Sequence, residues 1–175
     1  MKDEALSRDW AAFARQTSIS DPGPYASRAL AASVVPFDLA ESIGRTVLNF
    51  VTDRTLVDRA QFASRLWQID LRTTEAILGA LFAISETPLS DARPPDERIV
   101  GNCRDVALLC ASVLRAHQVP ARVRYGFSHR FYRPGEPLQE HAATEFFDGQ
   151  QWRTLDCRGN REVIGLYELD LVPRQ

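Results

Sequence analysis

Apolar positions recur with a helical period in the first half of the chain. Two segments place apolar residues mostly at steps of three and four, the spacing that buries one face of a helix. The first follows Asp38, a residue type that caps helices, and the second begins at about Thr73. The apolar members are Leu39, Ile43, Val47, Leu48 and Val51 in the first segment, and Ala76, Ile77, Ala80, Leu81 and Ile84 in the second. The pattern predicts a helical layer in this part of the chain.

A further helix is predicted to begin at Cys103, after a polar, proline-bearing connector over residues 87–100. The residues that share one face of this helix are Val106, Ala107, Cys110, Val113, Leu114 and His117. The segment Gln118-Val119-Pro120 is expected to end the helix, because Pro120 cannot continue a helix and disfavours the helical conformation at Val119. Cys103 is therefore predicted to lie at a helix N-terminus.

The rest of the chain predicts an antiparallel sheet, with extended segments at 121–127, 141–147, 152–156 and 163–169. The pair Asp148-Gly149 is a hairpin signal between the second and third segments. His141 precedes Asp148 by seven residues, and Asp156 follows Gly149 by seven. A regular two-residue turn would make His141 and Asp156 cross-strand partners at one end of the sheet.

These elements predict an α+β fold in which a helical N-terminal layer and the helix of Cys103 pack on an antiparallel sheet. A length of 175 residues suits one domain. We divide it into an N-terminal arm at 1–24, a helical part at 25–100 and a catalytic core at 101–175. The arm contains Asp21-Pro22-Gly23-Pro24, whose breakers indicate an ordered turn or a loose lead into the domain.

Charge and composition exclude several classes of function. A net charge of −2 without charged runs argues against nucleic-acid and membrane partners. Residues 1–20 lack the apolar run of a signal peptide, and three cysteines are an odd number for a disulfide framework, so a reducing, cytoplasmic location is favoured. Glycine-rich phosphate loops, dinucleotide fingerprints and Gly-x-Ser-x-Gly elbows are missing from the sequence, and no cofactor is expected.

Three residues at the edges of predicted elements suggest a Cys-His-Asp triad: Cys103, His141 and Asp156. The positive end of the helix dipole and the unpaired first-turn amides would favour a thiolate at Cys103, and the same amides could form part of an oxyanion hole. An imidazole held by a carboxylate would shuttle the proton. Taken alone, Cys103 would be read as a small core residue and Asp156 as a turn carboxylate; their arrangement with His141 favours the catalytic interpretation.

Other titratable residues have simpler explanations. His117 suits a helix C-terminus, and Asp105 suits the first turn of a helix. Residues 128–138 suggest a loop beside the site, in which His129 and Tyr132 are tentative substrate contacts, although a solvated loop explains them too. Because the sequence has no Cys-x-x-Cys or His-x-x-x-His pair, no metal site is expected.

Three motifs follow one another in the order Gly101-Asn102-Cys103-Arg104-Asp105, Glu140-His141-Ala142 and Trp152-Arg153-Thr154-Leu155-Asp156. Their order resembles the transglutaminase-like superfamily. The helical first half, with Asp91-Ala92-Arg93-Pro94-Pro95 leading into Cys103, resembles small bacterial members of that superfamily. The resemblance implies a papain-like fold and thiol acyl chemistry on amides, with Cys103 as nucleophile, His141 as general base and acid, and Asp156 as the residue that orients it. Asn102 and Glu140, beside these residues, are tentative substrate contacts.

Two departures from the family pattern accompany the resemblance. Ala143 replaces an aromatic residue that follows His-Ala in many relatives, which suggests a more open acyl pocket. Cys157 stands where proline is common after the aspartate.

The sequence therefore predicts an enzyme that forms a thioester on Cys103 from an amide or activated ester and passes the acyl group to water or an amine. Its partner would be a small-molecule or peptide substrate, and the oligomeric state is left open. The alternative is a non-catalytic module that binds a peptide or metabolite in the same cleft. Arg122 and Arg124 suit either a carboxylate-binding cleft or, preferably, a solvated face of a strand.

Overall fold

The computed structural model describes residues 10–128, 139–156 and 171–172. The labelled helices are α1 (Ala26–Leu30), α2 (Pro36–Gly44), α3 (Arg59–Ser64), α4 (Thr74–Ile84) and α5 (Cys103–Ala116). The strands are β1 (Val47–Asn49), β2 (Ile99–Gly101), β3 (Ala121–Ser128), β4 (Gln139–Phe147), β5 (Trp152–Leu155) and β6 (Leu171–Val172). Short 3-10 helices occupy Gly23–Tyr25, Leu66–Asp70 and Pro95–Glu97. The fold is α+β, as the sequence predicts.

The main sheet has the order β5-β4-β3-β6, and all of its neighbouring strands are antiparallel. Helix α5 packs across β3 and β4, where the buried Thr144 hydroxyl donates a hydrogen bond to the carbonyl of Ala107 at 2.9 Å. The predicted antiparallel sheet is thus confirmed for its first three strands. The extended segment predicted at 163–169 lies outside the described residues.

One apolar core joins the helices to the sheet. Its fully buried members include Leu39 and Ile43 of α2, Ile77 and Leu81 of α4, Leu109 and Leu114 of α5, and Leu155 of β5. Helix α5 is central to this core because α1, α2, α4 and both central strands pack against it. Within the described ranges, no helix has the length and apolarity needed to cross a membrane.

The predicted helix α4 is confirmed, and the Thr73 hydroxyl oxygen caps it by accepting from the amide of Ala76. The helix predicted after Asp38 is too long. It begins at Pro36, with Asp38 inside the first turn, and it ends at Gly44. Val47 and Leu48 instead form β1.

Strand β1 lies parallel to β2, with Val47 opposite Ile99 and Asn49 opposite Gly101. Because this pairing joins residues about fifty positions apart, the local three-and-four spacing could not reveal it. The pairing also places the chain that follows β1 beside the start of α5.

The described part of the N-terminal arm, which starts at Trp10, packs on the sheet. Trp10 stacks on Phe147 with ring centroids 5.2 Å apart, and Phe13 meets Trp152 edge-on at 5.4 Å. The Gln16 amide nitrogen donates to the carbonyl of Ser112 in α5 at 2.9 Å. Of the two interpretations of this arm, the ordered one holds for its described part.

Helix α5 ends in a Schellman motif that contains a strained residue. The Val119 amide donates to the carbonyl of Leu114, and the Gln118 amide donates to that of Arg115, both at 2.9 Å. Gln118 has a φ of 61°, in the left-handed region that favours glycine. Pro120 follows, so the predicted end of the helix is confirmed.

Replacing Gln118 with glycine is expected to stabilise the protein by about 1 kcal/mol, because glycine adopts a positive φ without a Cβ clash. Urea unfolding would measure the change. Gln118→Ala is the matched control, since alanine removes the same side chain but keeps the Cβ. If the glycine variant is no more stable than the alanine variant, the strain at this position is negligible.

Candidate active site

Cys103 is the first residue of α5, and a capping box fixes its position. The Asn102 side-chain oxygen accepts from the Arg104 amide at 2.9 Å, and the Asp105 carboxylate accepts from the Asn102 amide at 2.9 Å. Asp105 lies in the first turn of the helix, as predicted, and its carboxylate completes the cap. The cap at Asn102 was missed, although Asn-x-x-Asp before an apolar run is the sequence signal for it.

The buried Asp105 carboxylate anchors this turn to a distant segment. Arg104 donates from Nε to Asp105 at 2.8 Å, and its terminal nitrogen donates to the carbonyls of Ile69 and Leu71 at 3.0 Å. Burial raises the pKa of Asp105, while the hydrogen bonds from Arg104 and from the Asn102 backbone oppose that rise. The turn that contains Cys103 is therefore tied to the 3-10 helix at Leu66–Asp70 and to the residue after it.

A glycine is required directly before the cap. A Cβ at Gly101 would lie 2.6 Å from the Asp105 carboxylate oxygen and 3.0 Å from a Val47 methyl group. The amides of Asn102, Arg104 and Asp105 are all used within the cap. Each of these three amides therefore already has an acceptor within the cap.

His141 of β4 and Asp156, just after β5, form a buried pair. Their Nε2 and Oδ2 atoms are 3.0 Å apart, and their side chains are only 4% and 2% exposed. The predicted proximity of the two residues is confirmed, but the predicted register is wrong by two residues. Phe147 pairs with Trp152, so the hairpin loop has four residues, 148–151, rather than two.

The wider turn has a local cause. The Asp148 carboxylate accepts from the amides of Gln150 and Gln151, each at 2.8 Å. Continuing the observed register would place Asp156 opposite Ala143, two residues beyond His141. A shift of two residues keeps a side chain on the same face of a sheet, so His141 and Asp156 become diagonal neighbours that still reach each other.

His141 is a strong base in this environment. Burial lowers its pKa, but hydrogen bonds to Asp156 and to the Cys103 side chain, together with their charges, raise it by more, to about 9. Because Nε2 is bonded to Asp156, Nδ1 is the ring nitrogen that remains for the hydrogen bond to the Cys103 side chain. The raised pKa thus favours the protonated form of His141 at neutral pH.

Cys103 and His141 lie in a cleft of about 530 Å³. Its walls are residues 49–52, residues 102–104, Tyr125 and residues 140–142. The tentative contacts Asn102 and Glu140 both line this cleft, whereas His129 and Tyr132 lie outside the described residues.

Two parts of the cleft wall were missed from sequence. The apolar spacing extends the predicted helix to Val51 and assigns no element to Thr52. Tyr125 gave no signal beyond its position on a strand; it lies opposite Ala142, next to His141. Nothing short of knowing the β1–β2 pairing and the β3–β4 register would have placed these residues at the site.

The surroundings of Ala143, Arg122 and Arg124 differ from those predicted. Ala143 is 1% exposed and does not line the cleft, so it does not open an acyl pocket; Ala142 is the lining residue. Arg122 and Arg124 share a face, as predicted, but both bind the buried Glu145 at 2.7 Å rather than lying free in solvent.

Two further observations concern cysteines and metals. Cys103 is partly exposed and Cys110 is buried in the core, and neither forms a disulfide; Cys157 lies outside the described residues. Among the residues that the structure describes, no group of three or more His, Cys, Asp or Glu side chains is arranged to hold a metal ion.

Residues 86–157 match the model of the transglutaminase-like superfamily, and this range contains Cys103, His141 and Asp156. No curated protein sequence matches the chain. A crystal structure of a candidate cysteine protease from Cytophaga hutchinsonii shares the fold, with a TM-score of 0.53 and 17% identity over 85% of this chain. The alignment covers 42% of that protein, so this chain spans less than half of its length.

Removing the Asp105 carboxylate is expected to destabilise the fold strongly. Asp105→Ala leaves the Asn102 amide and the Arg104 guanidinium without their buried acceptor, at a cost of about 3 kcal/mol in the free energy of unfolding. Urea unfolding would measure it, with Asp70→Ala as control, because the exposed Asp70–Arg72 pair should contribute little. A loss no larger than that of the control would show that the cap does not depend on this carboxylate.

The pKa of His141 can be titrated directly by NMR. The ring protons should shift with a midpoint near pH 9, well above the ordinary value of 6.5, and Asp156→Asn should lower that midpoint. A midpoint at the ordinary value in the wild-type protein would contradict the pairing seen here.

The same shift predicts a pH dependence of stability in the Cys103→Ala variant, in which no thiol at the site exchanges a proton with His141. A raised folded-state pKa stabilises fully below the unfolded value of 6.5, and that stabilisation is lost as the pH rises toward the folded value. The free energy of unfolding should therefore fall as the pH rises above about 6.5, over a window that ends below pH 9 because the variant lacks the Cys103 contribution to the pKa of His141. In the double variant that also carries His141→Gln, this fall in the free energy of unfolding with pH should disappear.

Proposed function

We propose that this chain, whose residues 86–157 match the model of the transglutaminase-like superfamily, is a cysteine-dependent acyl-transfer enzyme that works through a thioester on Cys103. One observation carries the proposal: the buried His141 binds Asp156 on one side and the Cys103 side chain on the other, within an open cleft. This is the arrangement that a thiol nucleophile needs in order to react at neutral pH.

In the first half-reaction, the Cys103 thiolate attacks the carbonyl carbon of an amide or activated ester. A C–S bond forms, and the bond from carbon to the leaving nitrogen or oxygen breaks. The His141 imidazolium gives its proton to an amine leaving group, which departs neutral. An acyl group is then held on Cys103 as a thioester, and His141 is left as the neutral base.

In the second half-reaction, water or an amine attacks the thioester carbonyl. Neutral His141 takes a proton from the attacking group, the new C–O or C–N bond forms, and the C–S bond breaks. The products are a carboxylic acid or a new amide, together with the original thiolate and imidazolium. Water as the acceptor makes the enzyme an amidase or protease, and an amine makes it an acyltransferase or amide synthase.

Asp156 acts on His141 rather than on the substrate. Its carboxylate holds Nε2, which fixes the ring orientation so that Nδ1 faces the thiol, and its negative charge stabilises the imidazolium. Because the pair is buried, water competes weakly for either partner. We therefore assign Asp156 as the positioning residue of the triad.

The rate at which iodoacetamide labels Cys103 tests the proposal. At about pH 6 an ordinary thiol is mostly protonated, so an activated Cys103 should react at least tenfold faster than N-acetylcysteine. Mass spectrometry of the labelled peptides gives this rate. His141→Ala should remove the advantage, and Asp156→Asn should reduce it, because the imidazole loses the carboxylate that orients it.

His117→Ala is the matched control, since His117 caps the far end of α5 and should not affect Cys103. Thioester formation is then checked by treating the protein with p-nitrophenyl acetate and locating the acetyl group by peptide mapping. If iodoacetamide labels Cys103 slowly, at a rate that does not change in the His141 and Asp156 variants, the proposal is overturned and the binding module is favoured.

A further inference from the structure

Large apolar side chains surround the cleft yet remain exposed. Phe50 is 38% exposed, Val51 is 61% exposed and Tyr125 is 62% exposed. All three line the same cleft as Cys103 and His141. Exposed apolar surface that is concentrated in a concave site typically marks the place where a ligand covers it.

Residues 50–52 form one lip of the cleft, and hydrogen bonds hold this lip in place. The Asn49 side-chain oxygen accepts from the amides of Val51 and Thr52 at 2.8 and 3.1 Å. The Asp53 carboxylate accepts from the Asn49 amide at 2.8 Å, and the Asp53 amide donates back to the Asn49 carbonyl at 3.0 Å. The turn is therefore closed on itself.

The lip is also tied directly to the nucleophile. The Phe50 amide donates to the carbonyl of Gly101 at 3.0 Å, two residues before Cys103. This bond continues the parallel pairing of β1 with β2. The backbone that carries the apolar side chains of the lip is consequently held at a fixed position relative to Cys103, as a preorganised binding surface requires.

Tyr125 and Ala142 form the wall that belongs to the sheet. They are directly opposite each other in the β3–β4 pair, so their side chains lie on the same face. Ala142 contributes only a methyl group, which leaves room beside the tyrosine ring.

Two polar side chains that line the cleft already have hydrogen-bond partners outside it. Asn102 caps α5, and Arg104 binds Asp105 and the carbonyls of Ile69 and Leu71.

We propose that Phe50, Val51 and Tyr125 form an apolar acyl pocket, which selects donors whose acyl group is a medium-length alkyl or aryl chain. The inference rests on the proposed function and deepens it by naming the class of acyl donor. Each methylene buried in such a pocket strengthens binding several-fold. A hexanoyl group should therefore be preferred over an acetyl group.

Acylation of Cys103 by p-nitrophenyl hexanoate and p-nitrophenyl acetate tests this preference. The thiolate displaces p-nitrophenolate in both reactions, and the released nitrophenolate gives the rate. After division by the rates of the same esters with N-acetylcysteine, kcat/KM for hexanoate should exceed that for acetate by about tenfold or more. A ratio near one would overturn the proposal.

Variants show whether the preference comes from this pocket. Phe50→Ala and Val51→Ser should each lower the ratio of hexanoate to acetate several-fold, and Phe50→Leu should retain most of it. Phe37→Ala is the matched control, because Phe37 is an exposed phenylalanine that does not line the cleft, and its ratio should equal that of the wild-type protein. Ratios that do not respond to the two cleft substitutions would assign the preference elsewhere and overturn the proposal.

A second readout separates this inference from the proposed chemistry. Hexanamide should protect Cys103 from iodoacetamide at concentrations at which acetamide does not, and this protection requires binding but no acyl transfer. If hexanamide protects while neither ester acylates Cys103, the pocket stands and the proposed function fails. If both esters acylate Cys103 equally and the two amides protect equally, the function stands and the pocket fails.

Discussion

The buried carboxylate of Asp105 is the interaction on which the rest of the site depends. It accepts from the Asn102 amide and from Arg104, and Arg104 continues to the carbonyls of Ile69 and Leu71. A buried charge is tolerated only when it is paired and fully hydrogen-bonded, so the Asn102 amide and Arg104 must keep their positions around this carboxylate. That single arrangement determines where α5 starts, and hence where Cys103 lies.

Two separate parts of the fold meet at the thiol. Helix α5 supplies Cys103, whereas the hairpin of β4 and β5 supplies His141 and Asp156. The core keeps them in register, because Leu109 and Leu114 of α5 are buried in the same cluster as Phe146 and Leu155 of the hairpin. Thr144 adds a buried hydrogen bond across this contact. The side chains of Cys103, His141 and Asp156 can therefore be held close together even though they come from elements that are distant in sequence.

Sequence reasoning succeeded where local rules were sufficient. The start of α5 follows from Cys103 preceding an apolar periodic run, and its end follows from Pro120. The His141–Asp156 pairing was predicted for a partly wrong reason. The Asp148 side chain closes a four-residue loop instead of a two-residue turn, and only the even size of the error kept both residues on one face. An error of one residue would have separated them.

Strand β1 and the lip that follows it could not be predicted, because their structure depends on a distant partner. Val47 and Leu48 continue the spacing of α2, and pairing with β2 overrides that local signal. This pairing has a further consequence for how the protein can change over time. The proposed acyl pocket takes its lip from residues 50–52, which lie before the region shared with the superfamily, 86–157. Substitutions in this lip alter the proposed pocket without changing Cys103, His141 or Asp156, whereas Tyr125, the third residue of the pocket, lies within the matched region.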